Sequence, residues 1–345
     1  MKADNPLISV CVPTYNYGRF IRDCIESVMA QTLTDWELII CDDCSTDNTA
    51  EIVAEYAKRD ARIIYRCNEQ RLGMNGNIKR AADSGRGEYL KILCSDDWLA
   101  PNCLEVFTTL MAANQEVVLA TSAEILSDEA GEPLQVQFLF GEEMCVRTGE
   151  EMLDRMGAGE GFGGNSSFFI RSSAYRAVGG YDDRWRYAAD YDLAARLCRI
   201  GNYLHTDEPL FYGRVQPESS SATDPATLVD VKDWFEIPHR IFQPRRFGNR
   251  EWRRYQRLTA SLTARYLVNC LLQEIRGRHS YARDLRGLLI QHGNFALGIP
   301  WLAVHIPMRI SRYLIGTNKP ISMDAPGSAG SPSALRRINS RAEVG

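Results

Sequence analysis

Two pairs of adjacent aspartates have the residue type and spacing for chemistry on a phosphate-bearing ligand. Asp96 and Asp97 follow the apolar run "YLKIL" and stand directly before Trp98, and Asp42 and Asp43 follow the apolar run "WELII". Like charges this close repel each other, so such pairs lie in water at a loop or face a positive ligand. Neighbouring carboxylates suit Mg²⁺ or Mn²⁺, which complete their coordination with water and phosphate oxygens.

A divalent ion at Asp96 and Asp97 would neutralise a pyrophosphate and make a nucleoside diphosphate a better leaving group. The segment "DDCSTD", which begins at Asp42, offers acceptors for a nucleobase N–H and for ribose hydroxyls. Two simpler interpretations remain open. Asp96 and Asp97 are also suitable N-caps for the helix predicted at "PNCLEVF", and Asp42 and Asp43 also suit an ordinary turn.

Several phosphate-binding motifs are absent from the sequence. It has no GxxxxGK[ST] loop and no GxGxxG after the first predicted strand, which argues against P-loop NTPases and dinucleotide enzymes. A nucleotidyltransferase would need a basic, glycine-rich loop there, and "PTYNYGRF" is a poor match. The CxxC spacing of Cys41 and Cys44 has no second CxxC and no nearby histidine, so we interpret the pair as one core and one loop cysteine.

The first 120 residues alternate short apolar runs with helical patterns of about ten residues or more. The predicted strands are "LISVCV", "WELIICDD", "RIIYR", "EYLKILC" and "EVVLATS". This order predicts an α/β fold with a doubly wound, mostly parallel sheet and helices on both faces. Ligands bind such sheets beyond the carboxyl ends of the strands, where "PTYN", "DDCSTD" and "SDDW" fall. Both aspartate pairs should therefore face one cleft.

After about residue 127 this alternation fades. A glycine-rich segment, Gly157 to Gly164, precedes a predicted strand and a helix from about Ala189, and we expect this segment to be a mobile loop on the acceptor side. "NYLHTDEPLFYGRV" predicts a hairpin, and Arg214 near its end suits either a phosphate ligand or a plain surface arginine. Asp192 precedes Arg196 by four residues, which predicts an ion pair on one helix face.

The 345-residue chain has a net charge of −4, which points to no nucleic-acid partner, but residues 232–319 contain 16 basic and 5 acidic residues. This asymmetry suggests an anionic partner surface, such as membrane lipid. Residues 287–308 carry no Asp, Glu, Lys or Arg, yet their polar residues and prolines favour a kinked or interfacial helix over a membrane span. The tail, residues 317–345, is rich in Ser, Pro, Gly and Ala and is predicted to be disordered.

The ten cysteines are scattered, several within apolar runs, which indicates buried thiols in a reducing compartment. The first residues lack the long apolar run and cleavage site of a secretory signal. We therefore expect a cytoplasmic location, at the inner face of a membrane if the basic region binds lipid.

Three segments resemble the family-2 inverting glycosyltransferases of GT-A fold. "ISVCVPTYNYGRFIRDCIESVMAQTLTDWELIICDDCSTDNTAEIV" is similar to the start of these enzymes, "GEYLKILCSDDWLAP" to their metal-binding segment, and "GGYDDRWRYAADYDLAARL" to their acceptor-side segment. The resemblance covers roughly residues 6 to 215, and the order and spacing of the segments make it specific. It implies a single displacement with inversion at the anomeric carbon. The QxxRW motif of processive relatives is absent, which implies one sugar per encounter.

The resemblance assigns roles to eight residues. The residues expected to bind the nucleotide sugar are Pro13, Thr14, Tyr15, Asp42, Asp43 and Asp96. The expected metal ligands are Asp97 and Asp96, with Mg²⁺ or Mn²⁺ as the cofactor, and the expected general base is Asp190. Two positions depart from the family pattern: Cys94 stands where many relatives have aspartate, and Ala189 where they often have glutamate.

The sequence thus predicts a metal-dependent inverting glycosyltransferase. It would move a sugar from a nucleotide sugar, with UDP the expected nucleotide, to a glycan or lipid-linked acceptor in cell-surface glycan synthesis. The alternative is a catalytically silent nucleotide-sugar-binding or scaffold protein, for which Ala189 and Cys94 are the support. We expect a GT-A nucleotide-sugar-binding and catalytic domain over residues 1–215 and a basic helical C-terminal region over residues 216–316.

Overall fold

A ten-stranded mixed sheet with helices against it organises the chain. The computed structural model describes residues 5–140, 144–216, 228–242, 249–275 and 279–293. The strands are β1 Ile8–Thr14, β2 Trp36–Asp42, β3 Ile63–Cys67, β4 Tyr89–Ile92, β5 Trp98–Leu99, β6 Val117–Ser127, β7 Pro133–Gln137, β8 Met144–Arg147, β9 Phe169–Arg171 and β10 Asn202–Arg214. The helices are α1 Ile21–Met29, α2 Thr49–Arg59, α3 Gly73–Asp83, α4 Cys103–Ala113, α5 Gly149–Gly157, α6 Ser172–Ala177, α7 Ala189–Cys198, α8 Val229–Phe242, α9 Arg250–Ile275 and α10 His279–His292, with a 3-10 turn at Asn165–Ser167.

The N-terminal half of the sheet is parallel, as the sequence predicted. Its strand order is β3-β2-β1-β4, and helices α1, α2 and α3 connect the strands in turn. Strand β2 is buried at every position, which explains its continuous apolar run. The register pairs Thr14 with Asp42 and Cys11 with Ile92, so β1, β2 and β4 end at the same edge.

The other half of the sheet is mixed, so the α/β fold class is confirmed while the sheet is less parallel than predicted. Strand β9 lies antiparallel between β4 and β6, and β10 pairs in parallel with β6. Strands β5, β7 and β8 add further antiparallel pairs. Strand β9 has only three residues, and its sequence has no feature that indicates whether it pairs in a parallel or an antiparallel direction.

The hairpin expected at "NYLHTDEPLFYGRV" is instead one long strand, β10. Its register with β6 shifts between Thr206 and Pro209 and again between Pro209 and Phe211. The turn-forming residues Asp207 and Glu208 therefore lie in an irregularity within the strand rather than at a reversal of the chain. Such bulges accommodate a proline, which has no N–H to donate to a neighbouring strand.

The C-terminal helices share a core with the sheet. One buried cluster contains Tyr203 of β10, Leu153 of α5, Trp234 of α8, Leu258 of α9 and Leu285 of α10. The division of the chain near residue 215 stays a prediction, because this shared core does not by itself test it. No helix in the described part of the chain is long and apolar enough to cross a membrane. Most of the uncharged segment 287–308 and the whole tail 317–345 lie outside the described residues.

Candidate active site

The loops that follow β1, β2 and β4 meet at one edge of the sheet. Pro13 and Thr14 end β1 and pair with the last residues of β2. Asn77 of α3 joins the two strand ends, since its side-chain amide donates to the carbonyls of Thr14 (3.2 Å) and Cys41 (2.8 Å). Sequence analysis did not single out Asn77, because nothing in "GMNGNIK" indicates which carbonyls it reaches.

The first two loops are pinned to each other. The backbone N–H of Asn16 donates to Ser45 Oγ at 2.8 Å, and that of Gly18 donates to Asp47 Oδ2 at 2.9 Å. A Cβ at Gly18 would lie 2.0 Å from Asn48 Oδ1, so only glycine fits there without a shift of the Asn48 side chain. These contacts hold the segment after β1 rigidly beside the segment after β2.

Asp42 shapes the second loop with both of its carboxylate oxygens. Oδ1 accepts from the N–H (2.8 Å) and hydroxyl (2.6 Å) of Ser45, and Oδ2 accepts from the hydroxyl of Tyr65 (2.7 Å). The residue is 1% exposed. This differs from the direct ligand contact expected from the sequence and favours a supporting role.

Asp43 anchors the start of helix α3. Its Oδ1 accepts from the side chain of Asn68 (2.9 Å) and the N–H of Leu72 (2.7 Å), and its Oδ2 accepts from the N–H of Gly73 (2.9 Å). A carboxylate oxygen can accept two hydrogen bonds, so Oδ2 retains room for one donor such as a nucleobase N–H. Asp43 is 2% exposed, so it mainly supports the start of α3, and its one remaining acceptor position is on Oδ2.

A flat, polar cradle surrounds Asp43. The guanidinium of Arg71 lies 3.6 Å from the ring centroid of Tyr15, and its Nε is 3.9 Å from Asp43 Oδ2. Thr14 Oγ1 and Asn68 Oδ1 are buried and have no hydrogen-bond partner among the described residues. A stacked ring plane beside unused polar atoms is suited to a nucleobase and its ribose. No local sequence pattern pointed to Arg71 or Asn68.

The acidic segment after β4 forms a tight turn. The N–H of Asp97 donates to the carbonyl of Cys94 at 3.1 Å, which brings the side chains at both ends of the turn together. One ligand atom each from Cys94, Asp96 and Asp97 lies within 4.8 Å of the other two, and all three residues are partly exposed. Two carboxylates at this spacing fit a divalent cation. The simpler interpretation of Asp96 and Asp97 as helix caps is wrong. Helix α4 begins only at Cys103, and its N-cap residue is Asn102, which makes no side-chain cap bond.

Residues from the end of β10 orient the two carboxylates. Gln216 Nε2 donates to Asp96 Oδ2 at 2.6 Å, and the backbone N–H of Arg214 donates to Asp97 Oδ1 at 2.9 Å. The guanidinium of Arg214 donates to the carbonyl of Asp96 at 3.0 Å and pairs with Asp23 at 2.7 Å. Arg214 is 7% exposed, so the plain surface arginine considered above is wrong.

Charge is crowded in this part of the site. Burial raises the pKa of Asp96, and burial together with the charge of Asp96 raises that of Asp97 well above its usual range. Burial, followed by the charges of Asp97 and Asp96 and then of Asp190, raises the pKa of the Cys94 thiol. A cation between these groups would relieve the repulsion, which is a second reason that the donor set fits a metal ion.

Asp190 lies in the first turn of α7, and its charge contributes to the raised pKa of the Cys94 thiol. Burial raises the pKa of Asp190 to about 6. Its Oδ1 accepts from the N–H of Tyr191 at 2.7 Å. A carboxylate with a pKa near neutrality is well suited to accept a proton.

Asp192 has a different role from Asp190. It is fully buried and pairs with Arg196 at 2.7 Å, which confirms the predicted i,i+4 ion pair, and with Arg240 of α8 at 3.1 Å. The pair with Arg240 holds α7 against α8.

The glycine-rich loop ends in the 3-10 turn that carries Ser166. Its hydroxyl oxygen accepts from the N–H of Cys94 at 2.9 Å, and its carbonyl accepts from the buried ammonium of Lys91. The loop therefore supplies a residue that supports the acidic turn. Whether the loop moves with the acceptor stays a prediction.

All ten cysteines are free thiols, as the sequence predicted, with Cys41 buried and Cys44 partly exposed.

Comparison with known proteins identifies relatives of this chain. It is 27% identical over 226 residues to chondroitin synthase from Escherichia coli, an alignment that covers 61% of this chain and 29% of that protein. The chain thus spans less than a third of that relative's length.

Two solved structures share the fold. The structure of S. aureus TarS residues 1–349 in complex with UDP has a TM-score of 0.57 at 18% identity, over 76% of this chain and 72% of that one. The mannosyltransferase PcManGT from Pyrobaculum calidifontis, in complex with GDP-Man and Mn²⁺, has a TM-score of 0.55 at 15% identity, over 89% of this chain and 81% of that one. Residues 9–179 match the family model described as glycosyl transferase family 2, and this chain belongs to that family.

Proposed function

We propose that this protein is a metal-dependent inverting glycosyltransferase that moves a sugar from a UDP-sugar to an acceptor hydroxyl in cell-surface glycan synthesis. The observation that carries the proposal is the cluster of Cys94, Asp96 and Asp97 donor atoms within 4.8 Å. The UDP complex of TarS supports a nucleotide donor, and the name of the chondroitin synthase supports a polysaccharide product.

The nucleotide would bind at the carboxyl edge of β1 and β2. Asp43 Oδ2 would accept a hydrogen bond from the nucleobase N–H, and the stacked pair of Tyr15 and Arg71 would lie against the base. Thr14 Oγ1, buried without a partner in the described part of the chain, would bond to the nucleoside. Leaving such a group unpaired in a complex would cost about 1–3 kcal/mol, which favours an occupant with matching polar atoms.

Asp97 and Asp96 would hold a Mg²⁺ or Mn²⁺ ion, which would neutralise the departing nucleoside diphosphate. The Gln216 side chain and the Arg214 backbone N–H fix one oxygen of each carboxylate and leave the other oxygen available for the ion or for ribose. Such supporting bonds typically contribute about 10–100-fold in metal affinity or activity.

Asp190 would accept the proton of the acceptor hydroxyl. As the acceptor oxygen forms its bond to the anomeric carbon, the bond from that carbon to the diphosphate breaks on the opposite face, and the configuration inverts. The proton moves to Asp190 and the electron pair of the broken bond leaves on the diphosphate. General-base catalysis of this type supplies about 10²–10⁴-fold, and positioning of two substrates up to about 7–11 kcal/mol.

A nucleotide-sugar screen tests the proposal. We expect selective thermal stabilisation by one nucleotide sugar in the presence of Mn²⁺, followed by release of the nucleoside diphosphate when acceptor is added. Asp97→Asn should lose the metal-dependent stabilisation. Asp190→Asn should keep it and lose transfer, whereas Asp183→Asn, an exposed acid in the neighbouring loop, should retain both.

Normal turnover by Asp190→Asn would refute the assignment of the base. Nucleotide-sugar binding by the wild-type protein without transfer to any acceptor in membrane extracts would favour the silent binding protein instead.

We also propose that the basic C-terminal region holds the enzyme at an anionic membrane surface on the cytoplasmic side, near a lipid-linked acceptor. Arg253 and Arg257 of α9 are exposed, and so are Leu271 (60%) and Ile290 (72%). Basic and apolar groups together favour an anionic lipid interface. Replacing both Arg253 and Arg257 with glutamate should reduce binding to anionic vesicles but not to neutral ones, and unchanged binding would contradict the proposal.

A further inference from the structure

The backbone of Cys94 is fixed from two sides, so its side chain has a defined direction. Its N–H donates to Ser166 Oγ at 2.9 Å, and its carbonyl accepts from the N–H of Asp97 at 3.1 Å. The second bond closes the turn in which Cys94 and Asp97 are the end residues. The thiol therefore lies on a hydrogen-bonded turn, the same turn that carries Asp96 and Asp97.

The spacing of the sulfur suits a shared ion. Sγ of Cys94 and one oxygen each of Asp96 and Asp97 lie within 4.8 Å of one another. Metal–oxygen bonds of about 2.0–2.2 Å and metal–sulfur bonds of about 2.3 Å place three ligands spread around one ion about 4 Å or less from each other. An inward movement of each atom by roughly half an ångström would thus bring all three atoms to one cation.

We propose that Cys94 is a sulfur ligand of this metal site, so that the site prefers thiophilic divalent ions such as Zn²⁺ or Cd²⁺, and to a lesser degree Mn²⁺, over Mg²⁺. The inference rests on the metal site in the proposed function but not on sugar transfer. Mg²⁺ prefers oxygen ligands in near-octahedral geometry, so the two carboxylates alone would serve it, whereas softer ions would gain the third ligand.

Binding of the ion to Cys94 would exchange the thiol proton for the metal. The S–H proton of Cys94 leaves to solvent as the sulfur–metal bond forms, and no oxidant or reductant is required. Asp96 and Asp97 keep their carboxylate charge, so the bound ion would have three anionic ligands from one turn. Substituting aspartate for Cys94 would keep the charge and replace the soft ligand by a hard one.

A Cd²⁺ titration of the purified full-length protein tests this directly, followed by the sulfur-to-metal charge-transfer absorption in the ultraviolet. Wild type should show this absorption band. Cys94→Ser should lose the absorption that comes from the site with the highest Cd²⁺ affinity. Its Cd²⁺ affinity should fall about tenfold or more, since even outer-shell groups contribute that much to metal binding. Cys67→Ser removes an exposed thiol outside the cluster and should leave that site unchanged.

Two further measurements separate the possible failures. Mg²⁺ affinity should be nearly equal in wild type and Cys94→Ser, and higher in Cys94→Asp, with unaltered circular dichroism showing that each variant folds. Unchanged Cd²⁺ affinity and absorption in Cys94→Ser would overturn the inference, whether or not the protein transfers sugar. A Cys94-dependent band in a protein that transfers no sugar would uphold the inference and contradict only the proposed function.

Discussion

Asp190 should set the pH dependence of the reaction. Burial raises its pKa to about 6. A general base acts only when it is deprotonated, so kcat/KM should fall as pH decreases through about 6 and level off above it. The measurement is kcat/KM from about pH 5 to about pH 8 at saturating metal. Asp190→Asn should be slower by about 10²–10⁴-fold and should lack this inflection.

An unchanged inflection near pH 6 in Asp190→Asn would assign the titration to another group. A flat profile in the wild-type protein would show that the pKa of Asp190 is not raised in the enzyme before the acceptor binds.

Lys91 is a buried charge behind the acidic turn. It is fully buried in β4, donates to the carbonyl of Ser166, and has its ammonium 5.4 Å and 5.3 Å from the ring centroids of Phe107 and Phe211. Burial lowers the pKa of Lys91. Lys91→Met removes the desolvation penalty at similar volume, so we expect it to be neutral or to raise the free energy of unfolding by about 1–3 kcal/mol.

The sign of the pH effect follows from the lowered pKa. Between the folded pKa of Lys91 and its unfolded value of about 10.4, the unfolded chain binds more protons, so this residue makes stability rise with pH. The advantage of Lys91→Met should therefore be largest below the folded pKa of Lys91 and shrink towards about pH 10. Urea unfolding of both proteins at several pH values measures it, and a large loss of stability at all pH values would show that the ammonium is needed for the fold.

Spacing along the chain predicted which acidic residues meet, but not what supports them. Asp43 and Asp97 were found because each follows an apolar run at a strand end. Sequence analysis did not find Ser166, Gln216 or Arg71. Each of them reaches the site from a loop or strand end whose direction depends on the whole sheet. A side chain that contacts a site through tertiary packing leaves no local pattern in the sequence.

Among the elements, those with strong periodicity were predicted best. The strands β1, β2 and β4 are apolar and separated by amphipathic helices, and their parallel arrangement follows from these features. The direction of strand β9 and the course of the irregular strand β10 were not predicted. Strand β9 has only three residues, and β10 contains the turn-forming run Asp207-Glu208-Pro209, so neither carries a local signal for strand direction or pairing. There the neighbouring strand, and not the local sequence, decides the conformation.

Helix α8 should position the helix that carries the base. Asp233 of α8 accepts from the N–H groups of Arg186 (2.7 Å) and Tyr187 (2.8 Å), directly before α7 begins. Asp233→Ala should release this segment and lower kcat by about tenfold or more, because small misplacements of a catalytic group have large effects. Steady-state kinetics with the nucleotide sugar and its acceptor measure this.

Asp233→Asn keeps a side-chain oxygen that can accept both bonds, so it should restore most of the lost rate. Affinity for the nucleotide should be the same in wild type and in both Asp233 variants, since Asp233 bonds to the segment before α7. Equal loss of rate in the alanine and asparagine variants would argue against positioning through these bonds.

The whole molecule is tied together by a buried arginine between the C-terminal helices and the sheet domain. Arg254 of α9 is 2% exposed and contacts Asp154 (2.7 Å) and Glu150 (2.8 Å), both on α5, as well as Glu251 on its own helix (2.8 Å). Its Cα lies 3.1 Å from where a Cβ on Gly157 would be, so α5 and α9 approach closely at the end of α5. Helices α8 and α9 also share an apolar core with α5 and α7. Helices α8 and α9 should therefore unfold together with the sheet.

Substitution of Arg254 tests this coupling. Removing one partner of a fully buried ion pair costs about 3–5 kcal/mol, but Asp154 and Glu150 are partly exposed and can regain water, so we expect about 2–3 kcal/mol for Arg254→Ala. Arg253→Ala, at the exposed neighbouring position, should change stability by no more than about 0.5 kcal/mol. Guanidinium unfolding followed by circular dichroism should show one transition moved to lower denaturant. If Arg254→Ala instead splits the curve and leaves the main transition in place, the C-terminal helices form a separate unit and the sheet domain is stable without them.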